Sequence, residues 1–313
     1  MVGQIFRDVA LTSAKTQSKL INSLTEEAPI LAALPVQPTS HGLYNVYEEL
    51  IDVASASSVD LDEALPEVSA ESKLRQVDMK VLGAIMTVGE DKARLMGGAG
   101  RYFSQNAGPV LKKTGSNMER SLIYNTFRAG ALANHNPGAN DIHVINAGGA
   151  AGKNYSIVVV HYSEGEVTGL YDPQGFGNGK VFDLKEVNGG NLYKDGDGRL
   201  VYGLRMKSYF GVQTANKRYL SAIVNIDPSA ANTSVTAAML DDAIENARGR
   251  PENTLIYMHP KALNQLYGLK GGIMQVTARD RDMDRTFISW NGVEIVTSYN
   301  FLKGTEANVS VAV

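Results

Sequence analysis

There is no cysteine in this sequence. Disulfides, thiolate nucleophiles, Cys-ligated zinc and iron–sulfur clusters are therefore excluded at the outset. Long apolar runs are missing too. The longest, such as residues 157–160, fall far short of the roughly 20 residues a membrane-spanning helix needs. Residues 1–20 contain no continuous apolar segment, so no signal peptide is expected, and the chain reads as soluble and made in a cytoplasm. Neither charge is in excess. The 30 Lys and Arg stand against 33 Asp and Glu, a net charge of −3, which leaves no surplus of cations to neutralise a nucleic-acid backbone.

What is present is ordinary globular composition. With 313 residues, 43% of them hydrophobic and 20% charged, the chain can bury a substantial core as one large domain or two smaller ones.

Residues 1–40 read as an extended arm, punctuated by Pro29, Pro35 and Pro38. Each proline disfavours helix at the residue before it. A short helix over 16–24 is compatible with the pattern. Ile30, Leu31 and Leu34 have no core of their own here, so they are expected to pack on another part of the protein.

Residues 41–100 contain two strand-like segments, 44–53 and 77–88, separated by a stretch of small and acidic residues. From 48 to 71 the acids are Glu48, Glu49, Asp52, Asp60, Asp62, Glu63, Glu67 and Glu71, with no Lys or Arg among them. From 73 to 128 the bases outnumber the acids and include Lys92, Arg94, Arg101, Lys112, Lys113, Arg120 and Arg128. Two readings stand side by side. One is a pair of solvated faces; the other is a long acidic hairpin lying against a basic surface of a neighbouring copy.

Ser116, Asn117, Met118 and Glu119 form a capping-box pattern, which predicts a helix over 116–134. Met118, Leu122, Ile123, Phe127 and Ala131 follow at helical spacing, and Asn136, Pro137 and Gly138 stop it. Residues 142–227 are rich in strand and turn signals. YSIVVVHY at 155–162 is a buried-strand pattern with 167–171 as its expected partner, and 220–226 is a further strand. This reads as an antiparallel insertion of hairpins. Residues 228–313 read as a compact α/β unit. A helical stripe from Thr236 to Ala247 precedes a buried strand at 254–258 and a second helix begun by Pro260. Asn291 and Gly292 then sit between two strands as a hairpin turn. Residues 308–313 are a candidate terminal strand.

The motifs that suggest chemistry each lack a part that the chemistry needs. GFGNGK at 175–180 and GGAAGK at 148–153 lack the spacing and the hydroxyl residue of a phosphate loop. DGDG at 195–198 opens like a calcium loop but lacks the downstream ligands, and a turn is the better reading. The five histidines, His41, His135, His143, His161 and His259, show no metal-ligand pairing, and hydrogen-bonded structural roles are expected for His161 and His259. No nucleophile elbow occurs. Arg279, Asp280, Arg281, Asp282, Asp284 and Arg285 alternate in sign. They form either a solvated loop or a loop that meets its own symmetry mates. No catalytic, cofactor or metal site is expected.

The order of these pieces resembles the major capsid protein of tailed phages with the Hong Kong 97-type fold. The local wording is similar as well: EDKARLMG at 90–97, SLIYN at 121–125, GLYDP at 169–173 and YMHPK at 257–261. Within that family the similarity runs to capsid proteins of short-tailed phages of the epsilon-fifteen type. The resemblance implies an α+β fold with an N-terminal arm (1–40), an E-loop region (41–100), a P-domain (101–227) carrying a spine helix and the β-rich insertion, and an A-domain (228–313). It implies a structural subunit rather than an enzyme. Its copies would form hexamers and pentamers that close into an icosahedral shell around double-stranded DNA, held without sequence-specific binding. A separate scaffolding protein, a portal and a decoration protein are the partners it suggests. The virion is the destination, after assembly in the host cytoplasm. Some relatives join an E-loop lysine to an asparagine; Lys73 and Lys80 lie in that region, and no asparagine partner is singled out. An encapsulin shell enclosing cargo enzymes is the alternative within the same fold, and an enzyme with a β-rich substrate domain is the alternative outside it.

Overall fold

The computed structural model describes residues 27–53, 58–59, 67–68, 70–139, 141–150, 152–173, 182–229, 233–268, 274–278 and 286–311. The helix considered for 16–24 lies outside them.

The chain enters the described structure through a five-residue helix, α1 (Pro29–Ala33), and a short strand, β1 (Val36–Pro38). Pro29 takes the first helical position, where its missing N–H costs nothing. Ile30, Leu31 and Leu34 are fully buried in the main core, so the arm's apolar residues do pack on another part of the fold. β2 (Tyr44–Val53) and β3 (Ala70–Asp78) then form an antiparallel two-stranded sheet. The segment expected as one strand at 77–88 breaks at Met79, whose side chain is buried. β4 (Lys80–Gly89) continues beyond it into a different sheet.

After a short helix α2 (Glu90–Leu95), the long helix α3 runs from Ala99 to Ser121. It passes through a π-helical turn (Leu122–Arg128) into α4 (Ala129–Asn134). This corrects the helix start expected at Ser116: the capping-box residues lie inside the helix, well beyond its first turn. Pro109 and several glycines argue against helix before residue 116, and proline inside a helix costs about 3 kcal/mol. The stripe Phe103, Ala107, Leu111 and Gly115, buried every fourth residue, outweighs that cost. The π turn then re-phases the buried face to Leu122, Ile123 and Phe127.

The remaining strands are β5 (Val144–Asn146), β6 (Tyr155–His161), β7 (Val167–Tyr171), β8 (Phe182–Glu186), β9 (Tyr193–Lys194), β10 (Leu200–Thr214) and β11 (Leu220–Ile226), then β12 (Thr254–Met258), β13 (Met274–Ala278), β14 (Thr286–Trp290) and β15 (Val293–Thr297). Helices α5 (Ala237–Asn246) and α6 (Pro260–Gly268) flank β12 in sequence. One sheet has the order β1-β7-β10-β4, with β8 and β9 also on β10. The other has the order β13-β14-β15-β12-β6-β11-β5, so it draws strands from both sides of residue 227.

β6 does not pair with β7, which corrects the hairpin expected at 155–171. β6 lies between β11 and β12, and β7 pairs with β1 and β10. The reason is burial. All seven residues of β6 and all seven of β11 are buried, and such strands belong in a sheet covered on both faces. Val158, Val160, Ala222 and Tyr257 face the long helix at Ile123 and Phe127. Ile157, Val159, Ile223 and Ile256 face the opposite layer, at Leu240, Ala243 and Leu263 of α5 and α6. Each such side chain contributes about 1.5–3 kcal/mol.

The terminal strand expected at 308–313 is not present among the described residues. Instead Val309 is held by one side chain: Asn225 Oδ1 accepts from its N–H at 2.9 Å and Asn225 Nδ2 donates to its carbonyl at 2.8 Å. Asn225 stands at an irregularity in β11 with φ of 58° and offers its amide in place of a backbone edge.

Candidate intersubunit surfaces

The acidic limb is β2 and its extension, and its charge is partly met within the chain. Pairing with β3 sets Glu49 opposite Lys73 and Tyr47 opposite Arg75. Arg75 Nε donates to Glu49 Oε2 at 2.6 Å, and the Ser72 hydroxyl donates to Glu48. Glu48, Glu67 and Glu71 are exposed, while Glu49 is half-buried. Asp52 pairs in register with Glu71 next to a bulge. Asp60, Asp62 and Glu63 lie outside the described residues, as do Arg279, Asp280, Arg281, Asp282, Asp284 and Arg285.

The basic residues divide into two groups. Lys92, Arg94, Arg101 and Lys113 are exposed on α2 and α3, with Lys92 Nζ 5.3 Å from the centre of the Tyr102 ring. Lys112 is half-buried. Arg120 is exposed but donates to the Asn300 carbonyl at 3.2 Å. Arg128 points into the fold. Its Nη1 lies 3.0 Å from Glu306 Oε2, and its guanidinium covers the Tyr124 ring at 4.4 Å. Arg128 and Arg120 thus have partners inside the same chain, and the outward basic face is carried by the other residues.

Two buried glutamates were not foreseen as anchors. Glu119, read as a residue that reaches back to cap its own helix, is fully buried and caps a different one. Its Oε2 accepts from the backbone nitrogens of Ile30 at 2.8 Å and Leu31 at 3.1 Å. Its Oε1 accepts from Ser298 and, at 2.9 Å, from Asn300 Nδ2. Burial pushes its pKa up, and these four donors pull against that. Glu306 is buried in the same way, with Tyr124 donating at 2.6 Å beside Arg128 and Ser156. For Glu119 the signal was present: it falls on the every-fourth-residue buried stripe. For Glu306 nothing in the local sequence marks burial.

Other motifs take structural roles. His161 Nδ1 donates to the Arg248 carbonyl at 2.6 Å, and His259 Nδ1 accepts from the Lys261 nitrogen at 3.0 Å. Asp195 Oδ1 accepts from the nitrogens of Asp197 and Arg199, closing the 195–198 turn. Among the described residues no three His, Asp or Glu side chains are grouped to hold a metal ion. Among those residues, too, no helix is long and apolar enough to cross a membrane.

What is left outward is a two-stranded sheet separate from the other two and a basic helical face, on a body with two large buried cores. A family model for major capsid protein GP7 matches residues 13–310. The chain belongs to the major capsid protein family. Among solved structures, this capsid protein is similar to that of bacteriophage Epsilon15, with 16% identity and a TM-score of 0.54, over 87% of this chain and 86% of that one. The bacteriophage JBD30 capsid aligns at 12% identity and a TM-score of 0.45, over 85% of this chain and 88% of that one. The holo-SrpI encapsulin complex from Synechococcus elongatus aligns at 12% and 0.44, over 64% of this chain and 88% of that one. No curated protein sequence matches. The capsid protein has the α+β Hong Kong 97-type fold, and it is a structural component of a tailed-phage virion, built into a shell from copies of itself.

Proposed function

We propose that this capsid protein forms hexamers and pentamers held by its projecting elements, and that the acidic β2–β3 limb of one copy lies over the basic face of the next. Exposed Glu48, Glu67 and Glu71 would meet Lys92, Arg94, Arg101 and Lys113. The observation that carries this reading is the limb itself: a sheet of two strands is marginal in water unless something covers it. Closed symmetry repeats each modest contact around the shell. The shell encloses double-stranded DNA without binding its sequence, and the balanced charge keeps DNA from adhering to the wall. Scaffolding, portal and decoration proteins are separate chains, and assembly takes place in the host cytoplasm. The protein has no catalytic role.

Charge reversal tests the pairing. Glu67→Lys with Glu71→Lys is expected to lower particle yield and to make the remaining assembly less sensitive to salt. Wild-type yield with wild-type salt dependence would refute it.

A further inference from the structure

β4 is an unprotected edge. It ends its sheet, and among the described residues no strand pairs with its outer side. Over ten residues it carries one charge, Lys80 at its start, with no proline and no bulge in its register with β10. Sheets that end in solvent normally blunt such an edge with charge, proline or a bulge. Its outward face is also apolar: Val81 is 57% and Ile85 60% exposed, while alternate residues Leu82, Met86 and Val88 turn inward. Directly beside Gly83 and Ile85 on that face, β10 places Lys207 and Arg205; Arg205 pairs with Asp183 of β8 at 2.8 Å, and Lys185 lies on β8, two strands in from the edge.

The β2–β3 limb has the opposite deficiency. It is a sheet of two strands, with five acids and two bases along them, and Leu74 on one face is 74% exposed. None of its residues with a described side chain enters either of the two large cores. It lacks a third strand and β4 lacks a neighbour.

We infer that the two complete each other between copies: the limb of one chain adds edge to edge onto β4 of the next, making one continuous sheet across the subunit boundary. This inference rests on the shell reading and names the contact within it. Backbone hydrogen bonds supply the fixed register. Leu74 with Val81 and Ile85 supplies the apolar pairing, and the acidic limb faces Lys207, one strand behind the β4 edge. Donor and acceptor are different patches of the same chain, so the contact is head-to-tail. Head-to-tail contacts generate rings wherever the rotation closes.

Hydrogen exchange followed by mass spectrometry on the full chain, free and assembled, tests this. Assembly is expected to slow exchange at least tenfold both in 80–89 and in the limb strands 44–53 and 70–78. A Val81→Lys, Ile85→Lys chain changes exposed side chains only. It is expected to melt as wild type does, yet to lose at least tenfold in particle yield at low and at high salt. Shells that form while 80–89 exchanges as fast as in the free chain would overturn the inference and leave the shell reading intact. Protection of 80–89 with no change in the limb would overturn the limb as occupant. Failure of the wild-type chain to form closed particles would overturn the shell reading and this inference together.

Discussion

The carboxylate of Glu119 lies 2.8 Å from the backbone nitrogen of Ile30, 89 residues earlier in the chain. Ile30 and Leu31 are the second and third residues of α1, whose own preceding residue, Ala28, offers no capping side chain. A side chain from the long helix therefore does the work of a local N-cap. The same carboxylate holds Ser298 and Asn300, and Asn300 Nδ2 also donates to the Glu27 carbonyl at 2.6 Å. One buried group ties the exit of the arm, the long helix and the segment after β15.

Removing that group is expected to loosen the arm. Glu119→Ala leaves two buried N–H groups without an acceptor, at about 1–3 kcal/mol each. Denaturant unfolding should register a loss of roughly 2–6 kcal/mol, and limited proteolysis should cut faster at 27–34. An unchanged midpoint and cutting rate would refute the anchor.

The Arg128–Glu306 pair makes a second prediction. Its carboxylate is 1% exposed and its guanidinium 19%. Arg128→Met leaves the carboxylate with Tyr124 and Ser156 only, and a loss of about 2–4 kcal/mol is expected. Adding Glu306→Gln should recover part of it, giving a coupling of about 1–3 kcal/mol in a double-mutant cycle. Strict additivity would mean that the two groups do not interact.

His259 predicts a pH dependence. Burial lowers its pKa, with Lys303 and Lys261 acting in the same direction. Its neutral Nδ1 caps α6 by accepting from Lys261. Folding therefore favours the neutral ring, and between the folded pKa and the unfolded value near 6.5 the unfolded chain holds more protons. The contribution is fully present above about pH 6.5 and is lost as pH falls through the folded pKa. His259→Asn keeps an acceptor without a titration, so melting curves should fall less steeply with acid for the variant. Parallel curves would discount His259.

Two glycines should fail for different reasons. Gly292 has φ of 82°, yet an added Cβ would meet Pro251 at an ordinary 3.5 Å. Gly292→Ala is expected to cost about 1–2 kcal/mol from backbone strain alone. At Gly169 the backbone is ordinary, but a Cβ would lie 2.8 Å from Val36 Cγ1 and 2.9 Å from Leu34 Cδ2. Gly169→Ala should press β1 off β7 and cost about 1–3 kcal/mol. Thermal melts of both variants check these values, and Gly169→Ala alone should speed proteolysis of the arm.

Much of the local structure was legible beforehand. Asn291 and Gly292 do form the turn between β14 and β15, both with positive φ. The helical stripe expected from Thr236 is α5, which starts one residue later because Thr236 caps it, accepting from Met239 at 3.2 Å. These are contacts a few residues apart, set by backbone preferences and one side chain. Errors fell where a local signal met a tertiary one. Pro109 and Gly108 speak for a break, and the long helix runs through them because its buried stripe faces the sheet.

The sequence by itself determined which segments are apolar enough to be buried, where tight turns fall and, having no cysteine, that thiol and disulfide chemistry is excluded. Through its resemblance it also pointed to a shell protein. Only the tertiary structure decided who pairs with whom. β6 pairs with β11 and β12, Arg128 turns inward to Glu306, and Glu119 caps a helix 89 residues away. The physical reason is that strand edges and buried carboxylates are satisfied by any correctly placed partner. Which partner arrives depends on how whole layers pack, and no local window of sequence contains that.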